Sequence, residues 1–332
     1  MPRVSVCMPM ARTGPEVEEA VRSVLAQEMA DLELLIGDET GEAEALVRAL
    51  SDPRIEYRRN PTRLGFAQNH VALLDRARGR YLAVLHDDDR WAPGYLARLV
   101  AVLEENPEVG LACCAVVLDR GDGSAERWPV PLRPGRSDDL LEVVLAQEWF
   151  LLLDSTVWRR QVWSGPARRW PDVRCGDLQF FLSAAEARWP VYFVDEVLAT
   201  YSIHRGQSGA WRGGDHGLGV ADDVLAFWAG WLEGRPDEVA RRSATQRARW
   251  HVRRARALVL AGRSAEARRA LATAEALGGR GLPDLRRMRL AAALPPSLVR
   301  AAVAAKRAAL ERGARRDRPS SNTTGAQFDT GR

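Results

Sequence analysis

Along the first hundred residues the apolar positions switch repeatedly between two spacings. Val4 to Met8 is a short apolar run that reads as a strand closing at Pro9. Val17, Ala20, Val21, Val24 and Leu25 then recur at helical spacing behind Pro15, a residue suited to a helix start. Leu32 to Ile36 reads as a second strand ending in Gly37-Asp38-Glu39-Thr40-Gly41, and Ala43 to Leu50 as a helix. Arg54 to Tyr57 is a short extended piece, and Asn60 to Leu64 a loop. Gly65 opens a helix through Ala77, which Gly79 stops. Tyr81 to Leu85 is a buried strand, and a helical pattern resumes after Pro93. Strand and helix alternate from residue 4 to residue 104, which predicts a parallel sheet with helices on both faces.

The C-terminal third has a different pattern. Glycines crowd Gly206 to Gly219, which predicts a loop able to close over a bound substrate. Ala221 to Leu232 is helical, Pro236 starts a longer helix to about Leu260, and Ser264 is placed to cap another. Leu298 to Leu310 is an alanine-rich helix with Arg and Lys306 on one side, and the polar residues from Gly313 to Arg332 predict disorder.

The chain has 332 residues, of which 46% are hydrophobic and 28% charged, enough for one large globular domain and an appendage. Its charge is unevenly placed. Residues 235–318 hold 22 Lys and Arg against 7 Asp and Glu, whereas residues 1–234 hold 25 against 36. This predicts an acidic globular domain with a basic helical extension, suited to an anionic surface, a nucleic acid or a solvated helical face. No apolar run is long enough to span a bilayer, and the N-terminus runs straight into a strand without a secretory leader. Cys7, Cys113, Cys114 and Cys175 lack zinc or redox spacing; the first three lie in apolar runs as buried thiols. Together these features predict a cytoplasmic protein.

The strand at Tyr81 to Leu85 stops at His86-Asp87-Asp88-Asp89. Three adjacent carboxylates repel one another, and a hard divalent cation relieves the repulsion. The alternative is a solvated acidic turn that caps the helix after Pro93. The strand ends of an open α/β sheet are where ligands gather. Gly-rich phosphate loops of the Rossmann and P-loop types are missing from the sequence, so a phosphate ligand would need the cation.

Val4-Ser-Val-Cys-Met-Pro9, Glu33-Leu-Leu-Ile-Gly-Asp38-Glu39, Asn60, Gly65, Ala67-Gln68-Asn69 and Leu85-His-Asp-Asp-Asp89 with Pro93 resemble the N-terminal half of a family 2 glycosyltransferase. The likeness is densest over residues 1–115, and two further motifs extend it to about residue 210. It implies a GT-A fold, a Rossmann-like and mostly parallel sheet flanked by helices, over residues 1–215. Residues 1–115 would be the nucleotide-sugar half and 116–215 the acceptor half. An α-helical extension over 216–312 and a tail over 313–332 would follow. The implied activity is inverting transfer of a sugar from a nucleotide-diphosphate sugar, a UDP-sugar foremost, to an acceptor hydroxyl. Polysaccharide, cell-envelope glycoconjugate or natural-product glycosylation are the implied settings.

The resemblance also assigns residues. Pro9, Asp38, Asn69 and Asp87 would face the donor, Asp38 through the imide of a uracil-type base and Asp87 beside the ribose. Asp88 takes the position that coordinates Mn²⁺ or Mg²⁺, with Asp89 a further candidate. Tyr201-Ser-Ile-His204 resembles a segment whose histidine reaches back to the metal or the diphosphate. Asp177, in Asp172-Val-Arg-Cys-Gly-Asp177, would be the general base. The chain departs from the family at several of these places. Met10-Ala11-Arg12 replaces an aromatic and an Asn, Gln68 an Arg, His86 the first acidic residue of the motif, Gly176 a Glu, and Ser202 an Arg. Trp128, Trp149, Trp158, Trp163 and Trp170 suit either an acceptor pocket or core packing. No nucleic-acid partner is expected, and the basic helices leave room for peripheral contact with the inner face of a membrane. Two alternatives stay open: a metal-dependent nucleotidyltransferase, disfavoured because Lys306 is the only lysine, and an inactive sugar-binding or scaffold relative.

Overall fold

The computed structural model describes residues 1–305 apart from 122–123, 131, 147–152, 169, 171–174, 204–214, 296, 300 and 303–304. The predicted alternation is present. Strand β1 (Val4–Met10) leads to α1 (Pro15–Leu25), β2 (Leu32–Asp38), α2 (Glu44–Ala49), β3 (Ile55–Arg59), α3 (Phe66–Arg76) and β4 (Tyr81–Val84). A two-residue β5 (Arg90–Trp91), α4 (Tyr95–Glu105) and β6 (Leu111–Asp119) follow. Next come the short β7 (Ala125–Arg127) and β8 (Gly135–Ser137), then α5 (Leu140–Ala146), β9 (Thr156–Arg159), α6 (Gly176–Glu186) and β10 (Val191–Ser202).

The sheet runs in the order β3-β2-β1-β4-β9-β6-β10-β5, with β7 beside β6 and β8 beside β10. β3, β2, β1 and β4 are mutually parallel, as are β6 and β10, while β9 runs antiparallel between β4 and β6. This is the mixed, mostly parallel sheet of a GT-A fold. Both faces are covered. Val4, Val6, Met8 and Met10 of β1 pack with α1 and α4, and Cys7 packs on the opposite side with α3 and α6. The apolar stripe read for α1 is its buried face, at Val17, Ala20, Val21 and Val24. All four cysteines are free and buried. Trp158, Trp163, Trp170 and Trp128 are also core residues, which settles them as packing; Trp149 lies outside the described residues.

The helical part corrects three expectations. Helix α7 (Asp215–Leu232) starts inside the expected loop, because Leu218, Val220, Ala221, Val224 and Trp228 are buried and outweigh the cost of Gly217 and Gly219 in a helix. The rest of that loop lies outside the described residues, and so does His204. The single long helix after Pro236 is two helices, α8 (Asp237–Arg242) and α9 (Ala244–Leu260). Ser243 Oγ donates to the Ala240 carbonyl at 3.1 Å and marks the break. Ser264 is the first residue of α10 (Ser264–Ala276) but makes no cap; Arg263 holds the cap position, also without a side-chain cap bond. Helix α11 (Pro283–Ala293) packs with α9 and α10 around Leu258, Leu271 and Leu285. Among the described residues no helix is long and apolar enough to cross a membrane. The expected helix at 298–310 and the tail fall mostly or wholly outside them.

Candidate active site

The antiparallel strand β9 explains where the site forms. Parallel strands β1, β2, β4 and β10 all end on one edge of the sheet, and β9 begins on that edge. The short turn Leu153–Ser155 that leads into β9 therefore meets the acidic loop after β4. His86 makes the junction. Its backbone N–H donates to Asp154 Oδ1 at 2.7 Å, and its Nδ1 lies 2.8 Å from Asp154 Oδ2. Trp91 Nε1 donates to the Asp154 carbonyl at 2.5 Å and pins the turn from below.

The protonation pattern follows from the partners. His70 Nδ1 sits 2.7 Å from the Phe66 carbonyl, so it carries the proton, and its Nε2 is left to accept from His86 Nε2 at 3.1 Å. Burial, reinforced by the neighbouring charge of His86, drives the His70 pKa down to about 3 and keeps the ring neutral. His86 then donates from both nitrogens. Burial opposes its charge, but Asp154 and, behind it, Asp89 outweigh burial and hold its pKa well above the ordinary histidine value. Asp154 is correspondingly kept below the usual carboxylate range by His86, despite its burial. Asp89 moves the other way, raised by burial and by the Asp154 charge.

Asp89 Oδ1 accepts the Ser202 N–H at 2.8 Å, which ties the end of β10 to the cluster; its Oδ2 is buried with no hydrogen-bond partner, 3.8 Å from His86 Nδ1. One ligand atom from each of His86, Asp89 and Asp154 lies within 4.8 Å of the other two, dimensions that fit a divalent cation once His86 gives up the proton it donates to Asp154. This donor set shares only Asp89 with the one expected from sequence. Asp154 was missed, although a carboxylate inside the apolar run Leu151 to Val157 is the signal that would have found it. His86 proves to be the centre of the network.

The other expected residues divide into two groups. Asp87 and Asp88 face the loop after β1: Ala11 N–H donates to Asp87 Oδ2 at 3.0 Å, and Arg12 reaches Asp87 Oδ1 and Asp88 Oδ2, each at 3.2 Å. Burial raises the pKa of Asp87, while Arg12 works against the rise. Asp38 and Asn69 make hydrogen bonds within the protein. The oxygens of Asp38 accept from the N–H groups of Thr40, Gly41 and Ala43, from Thr40 Oγ1, and from Tyr57 Oη at 2.9 Å. Burial opposes ionisation, yet the Thr40 and Gly41 N–H groups outweigh it and hold Asp38 below the usual carboxylate range. Asn69 donates to the Gly37 carbonyl at 2.9 Å and accepts from Asn60 Nδ2 at 3.1 Å. A Cβ on Gly37 would collide with Asn69 Oδ1, so this closeness requires glycine. Pro9 is part of β1, paired with Gly37 of β2.

Asp177 stands in the first turn of α6, with Oδ1 accepting the Leu178 N–H at 2.9 Å. Burial pushes its pKa up to about 6; the charge of His86 opposes that rise and the charge of Asp154 adds to it. A Cβ on Gly176 would come within 2.8 Å of the Trp170 ring. Trp170 therefore fills the space that the family's glutamate would need.

Residues 5–154 match the family described as Glycosyl transferase family 2. Over this segment, somewhat less than half of its length, the chain is similar to glycosyltransferase family 2. A relative, the GalNAc(5)-diNAcBac-PP-undecaprenol β-1,3-glucosyltransferase of Campylobacter jejuni, is 31% identical over 110 residues, 32% of this chain and 36% of that one. The chain spans about a third of the length of the curated relatives it matches first. The fold extends the likeness further. S. aureus TarS 1–349 with UDP-GlcNAc superposes with TM-score 0.64 at 12% identity, covering 90% of this chain and 89% of that one. The mannosyltransferase PcManGT of Pyrobaculum calidifontis, solved with GDP-Man and Mn²⁺, gives TM-score 0.55 at 20% identity, covering 95% and 82%.

Proposed function

We propose that the chain is an inverting glycosyltransferase that moves a sugar from a nucleotide-diphosphate sugar to an acceptor hydroxyl. One observation carries this reading. Within a GT-A fold, Asp177 stands in the first turn of α6, in electrostatic reach of His86 and Asp154 of the acidic edge, and burial raises its pKa to about 6. A base tuned near neutral pH can take the proton of an acceptor hydroxyl as its oxygen attacks the anomeric carbon and the diphosphate leaves from the opposite face. One carboxylate suffices for that chemistry, unlike the pair that glycoside hydrolysis needs.

Asp87 and Pro9 line the donor side in this reading. Asp38 and Asn69 act from behind, holding the turn after β2 on which a base would rest, since a direct contact with Asp38 would have to displace one of its protein donors. Asp88 and His204 would hold Mn²⁺ or Mg²⁺, with the unpartnered Asp89 oxygen as a further ligand; when bound, such an ion neutralises charge on the departing diphosphate. The donor is a UDP-sugar in the first instance, which the UDP-GlcNAc complex of TarS supports; the GDP-Man complex of PcManGT keeps other bases in play. The undecaprenol-linked substrate named for the Campylobacter relative supports a lipid-linked glycan acceptor.

A lipid-linked acceptor needs the enzyme at a membrane. Leu290, Leu294 and Leu298 are 72%, 47% and 55% exposed, beside the exposed Arg286, Arg287 and Arg289. Apolar side chains set among cations suit the inner, anionic face of a bilayer, so the helical extension is the peripheral contact of a cytoplasmic enzyme.

Thermal shift with UDP-, GDP- and TDP-sugars, with and without Mn²⁺, followed by a transfer and hydrolysis screen, tests the reading. Metal-dependent stabilisation by at least one donor, lost in Asp88→Ala, is expected together with slow donor hydrolysis. Stabilisation without any turnover would identify an inactive binding relative, and no stabilisation by any donor sinks the proposal.

A further inference from the structure

Arg12 follows β1 directly, on the loop where an aromatic and an Asn were expected. Because β1 and β4 are neighbours in the sheet, that loop lies against the acidic one. The guanidinium spans both carboxylates, Nε to Asp87 Oδ1 and Nη2 to Asp88 Oδ2, each at 3.2 Å. Its side chain is 29% exposed, against 7% for each carboxylate, so it covers them on the solvent side.

The same Asp88 oxygens are those assigned to a divalent cation in the proposed reaction, on which this inference rests. A guanidinium and a dication cannot both lie within contact distance of one carboxylate without strong mutual repulsion. One must leave. A guanidinium that leaves a carboxylate keeps its charge and its planar pair of donors, and the oxygen groups it fits next best are those of a phosphate. A nucleotide diphosphate arriving with the cation supplies them.

We propose that Arg12 is an internal competitor for the cation: it holds Asp87 and Asp88 while the donor is absent, and passes to the donor diphosphate when cation and donor bind together. The exchange couples the two ligands. The cation alone must displace Arg12 into water, whereas the cation with a diphosphate displaces it onto a new anionic partner, so each ligand strengthens the other's binding by the same factor. Arg12 is thus a positioning and gating residue for the donor.

The test measures Mn²⁺ binding to the full chain by the loss of the free Mn²⁺ paramagnetic signal, with and without saturating UDP, and UDP binding in EDTA by calorimetry. For the natural sequence, UDP is expected to tighten Mn²⁺ binding about tenfold or more. Arg12→Ala should bind Mn²⁺ alone at least about fivefold more tightly, bind UDP in EDTA more weakly, and lose most of the coupling. Arg12→Lys, which keeps the charge but not the planar fork, should fall between the two. A structural role alone would not raise metal affinity. Unchanged or weaker binding of Mn²⁺ alone by a folded Arg12→Ala overturns the competitor role while leaving the metal assignment standing. Failure of every variant to bind Mn²⁺ in the presence of bound UDP overturns the metal assignment itself, and this inference with it.

Discussion

His86 Nδ1 lies 2.8 Å from Asp154 Oδ2, an ion pair that joins the acidic loop to the start of β9 across a separation of 68 residues. Asp154 is buried and His86 is half-buried, so removing the histidine leaves a buried carboxylate uncompensated. Asp154→Asn should cost about 3 kcal/mol of stability, the range for breaking a buried pair, and His86→Gln a comparable amount. Because the two losses share one interaction, the double variant should cost clearly less than their sum. Urea denaturation of the two single variants and the double variant checks this, and additive losses would show that the pair is not coupled.

Asp177→Asn should lower transfer at least about a hundredfold while donor affinity stays within about twofold, since a general base acts on the proton in transit. In the natural sequence kcat/KM should rise with pH through about 6, the value to which burial brings Asp177, and the variant should lose that limb. Pre-steady-state transfer across pH 5 to 8 reads both.

The same shift predicts a stability effect of opposite sense. The folded chain holds the Asp177 proton more tightly than the unfolded chain does, between the ordinary aspartate value and about 6. Stability therefore falls as pH rises through that window, and the full cost is present above pH 6. Asp177→Asn removes an ionisation that burial disfavours. It should be more stable than the natural sequence at pH 7, by at most about 3 kcal/mol, and indistinguishable from it near pH 3. Thermal denaturation at the two pH values decides.

Gly176 is closed to any side chain by Trp170, whose ring would stand 2.8 Å from an added Cβ. Gly176→Ala should cost about 1–3 kcal/mol through overpacking, although alanine is otherwise the better helix former. Pairing it with Trp170→Leu should recover part of the loss relative to Trp170→Leu alone. Chemical denaturation of the three variants measures the recovery; none would mean that Trp170 is not the obstruction.

The extension should bind vesicles containing about 30% phosphatidylglycerol and not those of phosphatidylcholine alone, and binding should weaken between 50 and 300 mM salt because exposed charges are screened. Leu290→Asp with Leu298→Asp should abolish sedimentation with the vesicles and leave donor binding unchanged. Equal sedimentation with neutral vesicles would remove the electrostatic part of the reading.

What the sequence determined is what local patterns encode. The spacing of Val17, Ala20, Val21 and Val24 marked the buried face of α1, and the apolar run into three carboxylates marked the end of β4, because periodicity and abrupt polarity changes are properties of neighbouring residues. The family-like motifs placed Asp87, Asp88 and Asp177 as site candidates for the same reason. Only the tertiary structure decided which of those groups are already engaged. Asp38 and Asn69 read as donor contacts; the turn just after Asp38 and, from farther along the chain, Tyr57 donate to Asp38, and Asn69 donates to the Gly37 carbonyl. Asp154 gave no family signal, and β9 running antiparallel between parallel neighbours carries it to His86. Trp170 closes the space beside Gly176, and Arg12 lies across Asp87 and Asp88 because β1 pairs with β4. Each of these depends on which strand lies beside which, a long-range choice made by the packing of the whole sheet and written in no single stretch of residues.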